Sequence, residues 1–325
     1  MISSLAKLGP HVFAARLKAL SLAAVAILTG CSANPIYTTT GVVLSNYSEG
    51  EATPYVLQMS DTQMACALGE GVDPLLYSFS RVTDAPDTTG SLLMLLAGNC
   101  AEYKAWEAEL AYLRADYEGD VEAAKDAREV AKRLNALTAK RRYASFKRAM
   151  AAYEFDPAAE PLECPFLFTE QDEITFLLGL LTGMQAIVND ANSGAMAGVP
   201  RNIAPQAERA ATCLDNAKWG GMPNAIRALV WLLLPDTRPA LAPDPWQVLE
   251  HSRELGVEKG MRVPHALQAV AAETFGRPEK LEQAIASFAE ADATMEVWDE
   301  YRLVDEVAAG VVRFSSDKHW TANYG

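Results

Sequence analysis

Histidine, cysteine and basic residues are scarce in this chain of 325 residues. It has 4 histidines and 5 cysteines, and its 28 Lys and Arg stand against 42 Asp and Glu, which gives a formal net charge of −14. Because such an acidic surface repels a phosphate backbone, the composition argues against nucleic-acid binding.

Common catalytic and metal-binding motifs are also missing from the sequence. It has no C-x-x-C pair for a thioredoxin-like redox role, and His251, His265 and His319 lack a metal-ligand spacing such as H-E-x-x-H. Ser315 and Lys318 form an S-x-x-K in a polar tail, but S-D-N and K-T-G do not accompany it, so we interpret it as coincidence. We therefore expect no enzyme activity, no metal and no cofactor.

The N-terminus predicts a bacterial lipoprotein signal over residues 1–30. Basic Lys7, Arg16 and Lys18 precede an apolar run over residues 19–27, and Leu-Thr-Gly-Cys follows, ending at Cys31. A membrane-spanning anchor would need about 20 apolar residues, roughly twice the length of this run. We expect cleavage before Cys31 and acylation of its sulfur, which would anchor the mature chain in a membrane.

Residues 31–60 are predicted to be a lipidated, flexible tether, because they are rich in Ser, Thr, Gly, Pro and Asn and show little helical period. Residue 32 is Ser rather than Asp, which favours the outer membrane, facing the periplasm. Since the signal carries three basic residues and no acidic ones, the mature chain has 25 basic and 42 acidic residues, a net charge of −17.

Apolar residues recur with a 3.6-residue period throughout residues 61–325, which predicts a single all-α domain. A long helical stretch is expected over residues 92–155, with a break near Gly119. Residues 174–188 are apolar nearly all round and contain Gly179 and Gly183 in a G-x-x-x-G spacing. That run is too short to span a membrane, so we interpret it as a buried helix that packs closely within a bundle.

The C-terminal half contains a weak repeat of about 41 residues, and each repeat reads as a helix, a glycine-bearing turn and a second helix. A third helix begins at Pro278, and residues 295–314 supply a closing helix. The predicted fold class is therefore all-α, with tetratricopeptide-like stacked helical hairpins. The helix-starting prolines recur nearly in register: Pro205 with Pro245, and Pro223 with Pro264.

Four cysteines remain beyond Cys31: Cys66, Cys100, Cys164 and Cys213. An even number in an oxidising periplasm favours two disulfides, for which three connectivities exist. We favour Cys66 with Cys100 and Cys164 with Cys213, because each pair would join an irregular segment to a nearby predicted helix. The alternative is buried free thiols.

Five aromatic residues lie on or beside apolar helix faces and are candidates to line a groove for an apolar ligand. Core packing between helices is the alternative, because helical spacing alone explains most of their positions. These residues are Tyr103, Trp106, Trp219, Trp231 and Trp246.

Five features of the sequence together carry a resemblance to a known family. They are the lipobox cysteine Cys31, LLMLLAGNCAEYKAWEAELAYLRADY (92–117), FLLGLLTGMQAIV (176–188), QAERAATCLDNAKWGGMPNAIRALVWLLLP (206–235) and AVAAETFGRPEKLEQAIASF (269–288). In these features the chain resembles the TatT family of periplasmic lipoproteins associated with TRAP transporters. The resemblance implies an all-α fold of tetratricopeptide-like hairpins, a homotrimer, a pore or groove for an apolar small molecule, and a periplasmic solute-binding protein as partner.

Three functions remain open at this point. The first is a non-catalytic ligand-binding or scaffold component of a TRAP-type transport system. The second is a helical-repeat adaptor for envelope assembly or protein–protein interaction. The third, an envelope hydrolase, has the least support, because it would need clustered carboxylates with raised pKa values in a cleft.

Acylation of Cys31 can be tested directly. We expect cells that express the full chain to incorporate labelled palmitate into it, and Cys31→Ser to abolish that incorporation, because the thioether needs the Cys31 sulfur. Cys66→Ser/Cys100→Ser is the matched control and should retain the label. Incorporation that survives Cys31→Ser would contradict the lipoprotein assignment.

Overall fold

The computed structural model describes residues 34–325, and the predicted lipidation site Cys31 lies outside them. Within that range the chain is helical and contains no strand, which confirms the all-α prediction. The first six α-helices are α1 (Pro35–Tyr47), α2 (Thr53–Leu57), α3 (Thr62–Tyr77), α4 (Asp87–Glu118), α5 (Val121–Ala152) and α6 (Glu170–Ser193).

The remaining α-helices form the C-terminal half. A π-helical turn, Ser48–Ala52, joins α1 to α2, and three short 3₁₀ turns lie elsewhere: Ser78–Arg81, Pro235–Thr237 and Asp299–Tyr301. The C-terminal helices are α7 (Ile203–Ala211), α8 (Met222–Leu233), α9 (Pro245–Lys259), α10 (Val263–Thr274), α11 (Pro278–Thr294) and α12 (Arg302–Tyr324).

The α4–α5 hairpin is the longest unit of the fold. The predicted break falls at Gly119, whose φ of 78° is left-handed backbone that glycine adopts without a steric penalty. Asp120 then caps α5, because its side chain accepts a hydrogen bond from the Ala123 backbone N–H at 3.0 Å. These two residues reverse the chain, so α5 runs back along α4.

Helix α6 is the buried helix that the apolar run predicts. The helix has 24 residues and is longer than the predicted run over residues 174–188, so it is long and apolar enough to cross a membrane. However, 78% of its apolar window is buried inside the protein. A Cβ added at Gly179 would lie 2.3 Å from the Ala149 Cβ, and one at Gly183 would lie 2.6 Å from Phe146 Cδ2. The two glycines therefore allow α6 to approach α5 closely, as predicted.

The C-terminal half stacks helices in chain order: α7 packs on α6, and α8, α9 and α10 follow, each against its predecessor. Pro223, Pro245, Pro264 and Pro278 lie at the first or second position of α8, α9, α10 and α11, as the repeat predicts. Helix α12 returns to contact both α10 and α4, and so closes the C-terminal half against the N-terminal half.

The closing helix differs from its prediction over residues 295–314. It begins at Arg302 and continues to Tyr324. The residues before it are held outside the helix, because the Trp298 backbone N–H donates to the Gly260 carbonyl at 3.0 Å. The Trp298 and Tyr301 rings both pack on Trp219, with centroids 5.7 and 5.5 Å away.

The predicted tether also differs from the structure, because helices occupy residues 35–57. The Asn34 side chain caps α1 and Pro35 occupies its first position, which are helix-start signals that the Thr-rich composition obscured. Gly41 lets α1 approach the body, since an added Cβ would lie 2.8 Å from Phe79 Cδ1. Leu57 of α2 is buried in the core.

Both favoured disulfides are present, Cys66–Cys100 between α3 and α4 and Cys164–Cys213 between the segment before α6 and the end of α7. They link positions 34 and 49 residues apart in the chain. Loops of this size correspond to a stabilisation of about 2 to 4 kcal/mol per disulfide.

The close approach of α6 to α5 can be tested with one methyl group. Gly179→Ala should destabilise the fold by about 1 to 3 kcal/mol, because the new Cβ would collide with the Cβ of Ala149 on the closely packed helix α5. Gly71→Ala is the matched control at an exposed position of α3, where an added Cβ would have no other atom within 4 Å. This substitution should stabilise the fold by about 0.5 to 1 kcal/mol. Urea unfolding measures both, and equal effects would contradict the packing.

Candidate ligand cavity

A cavity of about 560 Å³ lies between the N-terminal and C-terminal halves of the helical body. Helices α4 and α6 line it from the N-terminal half, and α8, α10 and α12 line it from the C-terminal half. The segment from Leu44 to Leu57, which includes the π-helical turn, supplies further lining. The volume lies within the range of roughly 300 to 1,000 Å³ that is typical of ligand sites.

Most of the lining is aliphatic. Leu92 and Leu96 of α4 and Leu181 of α6 line the cavity, together with Val270 of α10 and Val307 of α12. The same helices keep their other faces in the protein core, so the walls are fixed by the packing around them. Such a lining favours an apolar chain or ring system over a polar solute.

An aromatic pair connects the two halves at the cavity. The Trp106 ring on α4 stacks on the Phe314 ring on α12, with centroids 4.7 Å apart and planes inclined by 8°. Both residues line the cavity. This contact fixes the spacing between α4 and α12 and presents a flat apolar surface to whatever occupies the space.

A polar strip begins at a buried ion pair on the cavity lining. The Arg142 guanidinium of α5 pairs with both carboxylate oxygens of Glu102 on α4, with Nη1 2.6 Å from Oε1. Arg142 also donates to Asn189 Oδ1 of α6 at 2.7 Å and to Asn99 Oδ1 at 3.2 Å. This ion pair therefore joins α4, α5 and α6 through charge-assisted hydrogen bonds.

The strip continues to a second polar group at Lys318. Asn189 Nδ2 donates to Asn135 Oδ1 at 3.0 Å, and Asn135 Nδ2 donates to Glu109 Oε1 at 2.9 Å. Lys318 Nζ then lies 3.7 Å from Glu109 Oε2 and 3.9 Å from Glu273 Oε2. Burial raises the pKa of Glu273, although the charge of Lys318 opposes that shift.

This polar end of the cavity adjoins a smaller cavity of about 240 Å³. Glu109, Asn135, Asn192 and Lys318 line both spaces. The smaller cavity is otherwise lined by Tyr112, Leu113, Arg128, Ala131 and Lys132. An aliphatic chamber thus adjoins a polar chamber across shared lining residues, an arrangement that suits an amphipathic molecule.

Of the five aromatic candidates for a groove, Trp106 lines the cavity. Tyr103 lies beside it, with ring centroids 5.2 Å apart, but does not itself line the space. Trp219, Trp231 and Trp246 do not line this cavity, and their burial or packing fits the alternative of core packing. Helical periodicity predicts which residues lie on the apolar face of a helix. It does not predict whether that face packs against other helices or lines a cavity.

The three tryptophans outside the cavity have specific packing roles. Trp219 is fully buried and its Nε1 donates to Glu173 Oε2 at 2.7 Å. Trp231 Nε1 donates to Glu208 Oε1 at 3.2 Å, while Trp246 packs on the core. Their indole N–H groups or ring faces are already occupied by protein atoms.

Sequence reasoning missed the polar strip and the closing helix's part in the cavity. The sequence predicts a polar tail around Ser315 and Lys318. Both residues instead lie within α12 and line the cavity. The signal that could have found them is a continued helical period beyond Phe314. Among residues 34–325, no group of three His, Cys, Asp or Glu side chains is placed to hold a metal ion.

His251 and His265 lie outside this cavity. His265 is fully buried on α10, and desolvation with the nearby Arg253 and Arg262 charges lowers its pKa to about 4. His251 is exposed on α9 and lies 3.1 Å from Glu254 Oε2. Neither residue lines the cavity.

The chain matches no family model, no curated protein and no solved structure. The resemblance to the TatT family therefore stays a prediction from the quoted segments.

The buried ion pair makes a strong prediction for stability. Arg142→Met should destabilise the protein by about 3 to 5 kcal/mol, because it leaves the Glu102 carboxylate buried without a counter-charge. Arg128→Met is the control on the same helix, where the side chain is exposed, and should change stability by less than about 0.5 kcal/mol.

Urea unfolding at pH 7 measures both single variants. The double variant Arg142→Met/Glu102→Leu should recover most of the lost stability, because no buried charge is left unpaired. A double variant as unstable as Arg142→Met alone would contradict this explanation.

Proposed function

We propose that this protein is a non-catalytic, ligand-binding component of the bacterial envelope that holds an apolar or amphipathic small molecule. The observation that carries the proposal is the cavity of about 560 Å³ with its aliphatic lining. A matching apolar molecule that fills such a space removes its own surface and the cavity lining from water. This burial stabilises the complex by about 25 cal/mol per Å² of apolar surface.

The polar strip supports an amphipathic occupant over a purely hydrocarbon one. A molecule with its apolar part among the leucines and valines would place a polar group near Glu109, Asn135 and Lys318. Those side chains offer both hydrogen-bond donors and acceptors, so a polar group there keeps partners after it leaves water. An alkane would leave these groups without a ligand partner.

The transport setting of the proposal rests on the TatT resemblance. We propose that the protein works with a periplasmic solute-binding protein of a TRAP transporter, and that it assembles as a homotrimer. The cavity supports this setting, because a groove for an apolar ligand is what the resemblance implies. The two disulfides support an oxidising compartment such as the periplasm.

Ligand occupancy is tested by filling the cavity. Val270→Trp should abolish the co-purification of a bound amphiphile and lower the affinity for an added fatty acid or long-chain alcohol at least tenfold, because the indole would occupy the aliphatic space. Val257→Trp, at an exposed position of α9, is the matched control and should bind normally. Native mass spectrometry and fluorescence displacement supply the measurements.

Equal binding by both variants would overturn the cavity as the ligand site. Urea unfolding shows whether Val270→Trp is folded. If it is not, Val307→Trp, on the α12 side of the lining, serves as the second variant. Capture of a solute-binding protein on the immobilised protein tests the transport setting separately.

A second candidate function is an adaptor that binds other envelope proteins. Phe166 and Phe168 favour it, because these stacked rings are 84% and 87% exposed. Phe166→Ser/Phe168→Ser should then release a bound envelope protein and leave ligand binding intact. Loss of ligand binding with no change in bound proteins would contradict the adaptor.

A further inference from the structure

Helix α1 is amphipathic in the reverse sense to a normal surface helix. Its inward face consists of small and polar residues: Thr38 and Ser45 are half-buried and Gly41 is buried. Its outward face carries large apolar residues that are mostly exposed: Ile36 (70%), Tyr37 (59%), Val42 (46%), Val43 (58%), Leu44 (37%) and Tyr47 (60%).

The inward face is held firmly in this orientation. Gly41 packs against Phe79 and Thr83, where an added Cβ would lie within 3.0 Å of both side chains. The Thr38 hydroxyl donates to the Val82 carbonyl at 3.2 Å. Because these contacts fit only small side chains, α1 cannot turn its apolar face inward without losing them.

Charge is absent from this helix. The sequence from Ser32 to Ser48 contains no Asp, Glu, Lys or Arg, and the first charged residue after Cys31 is Glu49. An uncharged apolar face can enter the boundary between lipid headgroups and acyl chains without the cost of removing an ion from water. The mature chain as a whole is acidic, so this face differs from the surface around it.

The distance to the predicted anchor favours a bilayer as the occupant of this face. Asn34 follows Cys31 by three residues, so their Cα atoms are at most about 11 Å apart. If Cys31 carries acyl chains embedded in a membrane, the start of α1 lies at that membrane's surface. A flexible tether of nearly thirty residues would not hold the helical body near the membrane. Because α1 begins at Pro35, only residues 32–34 separate it from Cys31.

The same face reaches the ligand cavity. Leu44 and Tyr47 belong to the exposed apolar face of α1 and also line the cavity. An apolar surface therefore runs from the outside of α1 into the space between the two halves of the body.

We propose that α1 docks on the lipid bilayer through Ile36, Tyr37 and Val43, and that this holds the cavity beside the membrane surface. The occupant of the face is the bilayer that carries the Cys31 acyl chains. An apolar ligand then passes between bilayer and cavity without crossing water. The passage of ligand rests on the proposed function, whereas the docking of α1 concerns the outside of that helix and is measured separately.

The test places a tryptophan on the face in the acylated full-length protein, reconstituted in vesicles of phosphatidylethanolamine and phosphatidylglycerol with brominated acyl chains. Bromine quenches indole fluorescence on contact. The emission added by Val43→Trp should fall at least twofold relative to vesicles without bromine. Leu241→Trp, which lies at a 99% exposed position away from α1, is the control and should keep its added emission.

Adding Ile36→Asp/Tyr37→Asp to Val43→Trp should restore most of the emission, because two carboxylates resist transfer into the lipid. Far-UV circular dichroism confirms that each variant stays folded, and mass spectrometry confirms the acyl chains. Equal emission changes for Val43→Trp and Leu241→Trp, or a Cys31 without acyl chains, would overturn the proposal.

A second copy of the chain is the competing occupant. Light scattering of the unacylated Cys31→Ser protein should give the same mass with and without Ile36→Asp/Tyr37→Asp. An oligomer that this substitution dissociates would show that another copy covers the face, and would overturn docking on the bilayer. Loss of ligand binding in Val270→Trp would leave the docking result unchanged.

Discussion

The burial of α6 is the constraint on which the rest of the fold depends. A helix that is apolar on nearly every side must be covered on every side, and one layer of helices cannot do this. Gly179 and Gly183 let α5 cover one side at close range. The C-terminal helices cover another, and where they do not close fully on α6, at residues such as Leu181, the cavity forms.

The Arg142–Glu102 pair has a different role from the apolar contacts. Two charges removed from water gain little net stability, even with good geometry. The pair instead specifies how the helices are arranged, because its hydrogen bonds to Asn99 and Asn189 require one relative position of α4, α5 and α6. It also keeps a polar wall beside aliphatic side chains, a combination that apolar packing alone would not maintain.

Local signals in the sequence predicted local structure well. Gly119 marks the break between α4 and α5, prolines mark the starts of the C-terminal helices, and both favoured cysteine pairs are present. The 3.6-residue period correctly gave an all-α chain. Composition was misleading for residues 35–57, because α1 depends on tertiary contacts of Gly41 and Thr38 rather than on helix propensity.

The site was less predictable, for a physical reason. A cavity is the space between helices that are distant in sequence, so no single periodic pattern records it. Trp106 and Trp219 have similar local patterns, yet one lines a cavity and the other fills the core. The polar strip joins residues from Asn99 to Lys318. Its members on α4, α5 and α6 are distant in sequence, and Lys318 reaches Glu109 only because α12 returns to α4.

The distribution of the disulfides has a mechanical consequence for the cavity. Cys66–Cys100 lies within the N-terminal half, and Cys164–Cys213 reaches no further along the chain than the end of α7. The sequence from residue 214 to the C-terminus contains no cysteine. Helices α8, α10 and α12 can therefore move away from α4 and α6 by breaking non-covalent contacts alone. The cavity is therefore bounded on one side by helices that disulfides cross-link and on the other by helices that non-covalent contacts alone hold in place.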